Sequence, residues 1–201
     1  MYSDNKKGLR LSFNAPVTLT FVALCVIVRL VGILTNSKSD YLVFSVGGSS
    51  FTEPLTYLRL FTHVLGHAGW DHLLGNMMYI LLLGPMIEEK YGTKNTVLVI
   101  LATAVVTGLI HMLVSPRTLL LGASGVVFAV ILISSITVRE DRTIPVTFIL
   151  VAVIYLGQQI YQGIFVNDDV SQITHIAGGA VGSVLGFVLS KKTGGKNRSR
   201  F

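Results

Sequence analysis

Four side chains in this sequence have types and spacings suited to acyl-transfer chemistry. Ser124 lies in Gly122-Ala123-Ser124-Gly125, inside the apolar run LLLGASGVVFAV at 119–130. A serine hydroxyl is a weak nucleophile until a base takes its proton, and histidine has a suitable pKa for that task. His175, opening HIAGGAVGSVLG, is a candidate base. A third group often orients such a base, but no Asp or Glu falls inside the apolar stretches, so a Ser–His pair is what remains. A carbonyl under attack needs donors aimed at its developing charge. His72 and Asn76, in HLLGN, stand at i and i+4 on one helix face. Both can donate, as can backbone N–H groups around Ser124. Glycines at 122 and 125 allow a substrate backbone to come close.

The elements that carry these residues follow from composition. The chain has 201 residues, 51% of them hydrophobic and 13% charged, with a mean hydropathy of +0.67. Soluble domains carry about 25% charged residues, and apolar stretches near the spanning length of about 20 residues recur. The pattern predicts an all-α membrane protein with spans over 15–35, 72–87, 95–114, 119–138, 144–165 and 172–190. A long polar-aromatic connection, 36–70, follows the first span. We read residues 1–14 as a short cytoplasmic N-terminus and the first apolar run as a retained span, since it lacks an Ala-x-Ala exit. Residues 15–190 form the spanning domain and 191–201 a basic cytoplasmic tail. The single cysteine, Cys25, reads as a small buried hydrophobe.

Twelve of the sixteen Lys and Arg fall on the side of the two termini, against Lys38, Arg59 and Arg117 on the other. The positive-inside rule therefore places both termini in the cytoplasm. The net charge of +6 is explained by topology and anionic lipid rather than by nucleic acid. With this orientation Ser124, His175 and the His72/Asn76 pair enter from the outer face and lie at one level. For Ser124, five to seven residues into its span, that level is on the order of 10 Å deep. Singly, each has a plain structural reading: a membrane serine bonds its own i−4 carbonyl, and a buried histidine is commonly a satisfied packing residue. Neither reading explains the matched depth of three helices. Gly178, Gly182 and Gly186 recur every four residues, a small-residue stripe suited to close helix packing, which could press the sixth span against the fourth.

These pieces together resemble the rhomboid intramembrane serine proteases: HxxxN at His72–Asn76, GxSG at Gly122–Gly125, and HxxGxxxG at His175–Gly182. The resemblance implies a compact six-span bundle whose long first loop is partly embedded. It implies Ser124 as nucleophile and His175 as general base. His72, Asn76 and the Ser124 N–H would then stabilise the oxyanion, supported by Gly122, Gly125, Phe128 and Gly178. The reaction implied is hydrolysis of peptide bonds in or beside transmembrane segments of membrane-protein substrates, with no cofactor and no metal. The site would open to the outer face of a bacterial plasma membrane, with the fifth span or the 166–171 loop controlling entry.

The sequence departs from that family pattern at Phe128, where Tyr is frequent, at Leu58 before Arg59, where Trp is frequent, and at Thr174, where Ala is frequent. A family glycine shortly before the histidine is replaced by the Ser171-Gln172 neighbourhood. His63 and His67 with His72 form a histidine-rich stretch, but HExxH is missing and no carboxylate accompanies it. Hydrogen bonding that fixes the loop is the simpler role. His111 and Trp70 read as interfacial residues, and Arg29 as a snorkelling or paired cation. Two rival functions remain: a rhomboid-like binder that guides membrane proteins without cutting, and a small transporter. The transporter lacks the internal repeats expected of it.

Overall fold

The computed structural model describes residues 13–48, 50–137, 144, 146–165 and 172–197. Among these the chain is helical, with only an isolated antiparallel bridge between Val46 and Leu120. The helices are α1 (Pro16–Leu34), α2 (Lys38–Leu42), α3 (Pro54–Thr62), α4 (Trp70–Tyr91), α5 (Thr93–Val114), α6 (Ser124–Thr137), α7 (Val146–Phe165) and α8 (Gln172–Asn197). A 3-10 turn, His63–Leu65, follows α3. Pro16–Leu34, Thr93–Val114 and Gln172–Ser190 are long and apolar enough to cross a membrane, and Ser124–Ile136 is a shorter apolar helix. Most of the expected cytoplasmic N-terminus, the end of the basic tail and the 166–171 loop lie outside the described residues.

The long connection after α1 folds as two short helices and a turn pinned through backbone carbonyls. Arg59 Nε donates to Leu42 O at 2.8 Å, and Thr62 Oγ1 donates to Val43 O. Its inner side carries Val46, Leu60 and Val64, all buried. The bundle core gathers Phe21, Cys25, Leu73, Met77, Ile80, Ala123, Val126, Val130 and Ile133 from α1, α4, α6 and the segment before it. Large apolar residues such as Leu30, Leu74, Leu82, Leu98 and Ile154 are exposed, as expected of a surface whose solvent is lipid.

Besides α8, which continues as helix to Asn197 past the expected end at 190, two boundaries differ from the sequence reading. The second apolar helix runs on to Tyr91, past Glu88, and ends at Gly92, which adopts φ +83. Glu88 is a keystone of the bundle: 4% exposed, it accepts from Val17 N and Thr18 N, both at 2.9 Å, and from Thr18 Oγ1 at 3.0 Å. The N-cap of α1 is Ala15, which has no capping side chain. A carboxylate from another helix therefore satisfies the free donors at the positive end of α1. Glu88→Ala leaves these donors buried without an acceptor, at about 1–3 kcal/mol for each stranded group. We expect it to lower the thermal midpoint of the purified protein far more than Glu89→Ala, a comparison that a melting curve in detergent makes directly.

The second difference concerns α6. Residues 119–123 are not helical, and the helix begins at Ser124 itself. Leu120 exchanges both backbone hydrogen bonds with Val46, at 2.7 and 2.9 Å. Gly122 N donates to His63 O at 2.9 Å while Gly122 holds φ +134, a conformation that L side chains rarely adopt. Non-helical backbone is tolerated at membrane depth where protein satisfies it, and here the loop after α1 does so.

Candidate active site

The α6 start defines the site. Ser124 is its first helical residue and half-buried, so its side chain and free N–H stand at the positive end of the helix. The carbonyl to which a membrane serine would ordinarily donate, four residues back on Leu120, accepts from Val46 N instead. The Ser124 Oγ instead lies 2.9 Å from His175 Nε2.

Glycine spacing makes that distance possible. α6 and α8 are the most closely packed helix pair. A Cβ on Gly178 would stand 2.5 Å from Gly125 O, one on Gly182 2.5 Å from Ala129 O, and one on Gly186 3.4 Å from Ile133 Cα. The stripe thus seats α8 on the backbone of α6, one residue every turn. The Phe128 ring lies against the His175 imidazole, centroids 4.9 Å apart and planes inclined by 50°. A phenylalanine at this position keeps the ring contact and supplies no hydroxyl.

α4 brings His72, half-buried, and Asn76, buried, to the segment before Ser124. A Cβ on Gly122 would meet His72 Nε2 at 2.8 Å and Asn76 Nδ2 at 3.9 Å, so only glycine lets this backbone lie against those two side chains. Ser124, His175, His72, Asn76, Gly122, Gly125, Phe128 and Gly178 are therefore neighbours in space. Such a group offers a hydroxyl with an adjacent base, two side-chain donors and a helix N-terminus, the parts that acyl transfer requires.

The other histidines are structural anchors deeper than the sequence suggested. His63 Nε2 donates to Ala104 O at 3.0 Å, and His111 Nε2 donates to Thr118 O at 3.1 Å; both rings are buried. Among the described residues no three His, Cys, Asp or Glu side chains group to hold a metal ion. His67, wholly buried, donates from Nδ1 to Leu65 O at 3.1 Å and accepts at Nε2 from Asn76 Nδ2 at 3.1 Å. Arg29 reaches from α1 to His67 O at 3.4 Å. Beside Arg29, the buried Asp40 carboxyl is raised above its ordinary pKa by desolvation, which the guanidinium opposes.

Burial pushes the pKa of His63 and of His67 down to about 4. Both are held neutral in the folded protein, while an unfolded chain would titrate them near 6.5. Their folded pKa values are depressed, so the stability they contribute is present above about 6.5 and is lost as pH falls through about 4. The depression is worth roughly 3 kcal/mol for each. Melting curves between pH 7 and pH 4 should show this fall. His63→Gln, which keeps a donor for Ala104 O but does not titrate, should shallow it.

The Rhomboid domain family model matches residues 54–192. Three relatives illustrate the likeness. Rhomboid protease GlpG of Haemophilus influenzae is 25% identical over 187 residues, which is 90% of this chain and 94% of that one. Rhomboid-like protein 11, chloroplastic, of Arabidopsis thaliana is 31% identical over 150 residues, 67% of this chain and 53% of that one. The putative rhomboid protease YdcA of Bacillus subtilis is 27% identical over 143 residues, 67% of this chain and 68% of that one. The chain spans about half the length of the Arabidopsis protein, and a similar or smaller share of the matched animal rhomboid-related proteins. This chain belongs to the rhomboid family, and with its apolar helices it is an integral membrane protein.

Proposed function

We propose that this protein is an intramembrane serine endopeptidase acting through a Ser124–His175 dyad. The observation that carries the proposal is the 2.9 Å approach of His175 Nε2 to Ser124 Oγ at the first residue of α6. In this reading His175 takes the Oγ proton as Ser124 attacks the scissile carbonyl. The oxyanion of the tetrahedral intermediate accepts from the Ser124 N–H, the Asn76 amide and the His72 ring. His175 then gives its proton to the leaving amine, and an acyl-Ser124 ester remains. Water, deprotonated by His175, attacks the ester; collapse of the second intermediate frees the carboxylate product and returns the proton to Oγ.

Six spans, α1 and α4 through α8, compose the domain at 15–190, with both termini in the cytoplasm and the site opening to the outer face. The charge asymmetry supports this orientation. Substrates are transmembrane segments of membrane proteins. A helix hides its carbonyls in its own hydrogen bonds, so segments with Gly, Pro or Ser near the cut unwind into the site most readily. A bacterial plasma membrane fits the compact form, although one relative bears a chloroplast name. The test is incubation of detergent-purified protein with a single-span substrate carrying such residues. Two fragments cut within or beside the span are expected. Binding without fragments would favour the non-cutting reading.

A further inference from the structure

His67 touches both Asn76 and the backbone just before Ser124, yet its ring is sealed from the surface. It is 0% exposed, on the loop before α4, and its environment dictates its tautomer. A carbonyl oxygen can only accept, so the contact with Leu65 O at 3.1 Å puts the proton on Nδ1. Nε2 is then a bare lone pair. Two groups that can only donate converge on it: Asn76 Nδ2 at 3.1 Å and Ala123 N at 3.4 Å. The same ring meets His72 edge-on, with centroids 5.0 Å apart.

We infer that His67 is a positioning residue for the oxyanion hole, its Nε2 lone pair fixing which end of the Asn76 amide faces the substrate. This rests on the serine-protease reading of the site. A side-chain amide has a donor end and an acceptor end of nearly equal shape. With a lone pair at His67 Nε2, Asn76 must turn Nδ2 toward it, which leaves the second N–H of that nitrogen to donate. Without the lone pair the amide is free to turn over and offer Oδ1, an acceptor, to a developing negative charge. The bond from Ala123 N extends the control to the backbone one residue before the nucleophile. Arg29, through its contact with His67 O, holds the base of this arrangement against α1.

Two substitutions separate positioning from packing. His67→Gln places an acceptor oxygen where Nε2 was and drops the bond to Leu65 O. His67→Asn keeps a donor for Leu65 O and leaves the Nε2 position empty. Positioning predicts that His67→Gln stays within about 3-fold of the parent kcat. His67→Asn should lose about 10²-fold in kcat, the effect of one oxyanion donor, with KM little changed. In an Asn76→Ala background the further change His67→Asn should cost no more than about 3-fold, because the group it orients is gone. Equal losses in the two His67 variants, or an undiminished loss in the Asn76→Ala background, would overturn the inference. The parent protein supplies a readout that needs no variant to fold: ¹⁵N spectra of labelled histidine should show His67 protonated at Nδ1, and protonation at Nε2 would overturn it. Fluorophosphonate labelling of the parent separates the two levels. An unlabelled Ser124 sinks the underlying reading, whereas a labelled Ser124 with full kcat in His67→Asn sinks only the role given to His67.

Discussion

Ser124→Ala and His175→Ala should each abolish cleavage of a transmembrane substrate, lowering kcat by about 10³-fold or more while leaving the protein folded. Ser124 is only half-buried and its Oγ has the His175 ring as partner, so removing the hydroxyl strands no buried donor. Removing the imidazole leaves Oγ without a base, and a serine alone at neutral pH attacks an amide extremely slowly. Members of such a pair act as a unit, so the double variant should be no worse than either single one. The residual rate in all three should reflect what remains of the oxyanion donors. Unchanged melting temperatures beside silent activity would separate chemistry from stability.

The next largest effect belongs to a residue with no side chain. Gly178→Ala should reduce kcat by about 10²-fold although both members of the pair remain. The added Cβ would lie 2.5 Å from Gly125 O and 2.8 Å from Gly125 Cα, and both are backbone atoms next to Ser124. Neither can move aside cheaply, so α8 must retreat from α6 and carry His175 with it, one turn from the substitution. A misplacement of about 1 Å at reacting groups is enough for a loss of this size. Overpacking should also lower stability by about 1–3 kcal/mol. Gly75→Ala is the matched control, because a Cβ there meets nothing within 4 Å and alanine favours the helix. Steady-state kinetics and melting of the two variants side by side measure both effects.

What the sequence showed and what it hid divide along a physical line. The hydroxyl, the imidazole and the donor pair were legible because a polar group inside an apolar helix is costly and conspicuous, and three helices carried one each. The glycine stripe on α8 was legible as a packing surface. Its partner, the fourth span, was legible too, but the register was not, since only the fold shows Gly178, Gly182 and Gly186 falling on Gly125, Ala129 and Ile133. The run at 119–123 looked helical because a short apolar stretch has no periodicity to distinguish a buried extended segment from a helix. Its irregularity depends on Val46 and His63, more than fifty residues away in sequence. Glu88 falls just past the 72–87 stretch, and its capping of α1 is a tertiary fact. His67 likewise looked like one of several loop histidines until Asn76 and Ala123 were seen to share its lone pair.

The central claim, that Ser124 is a nucleophile activated by His175, is tested most directly by a fluorophosphonate probe followed by peptide mass spectrometry. The account predicts one adduct, on Ser124, formed by the parent, absent from Ser124→Ala and at least about 10²-fold slower to form in His175→Ala. A parent protein that cuts its substrate while Ser124 stays unmodified, or labelling that proceeds equally without His175, would contradict it.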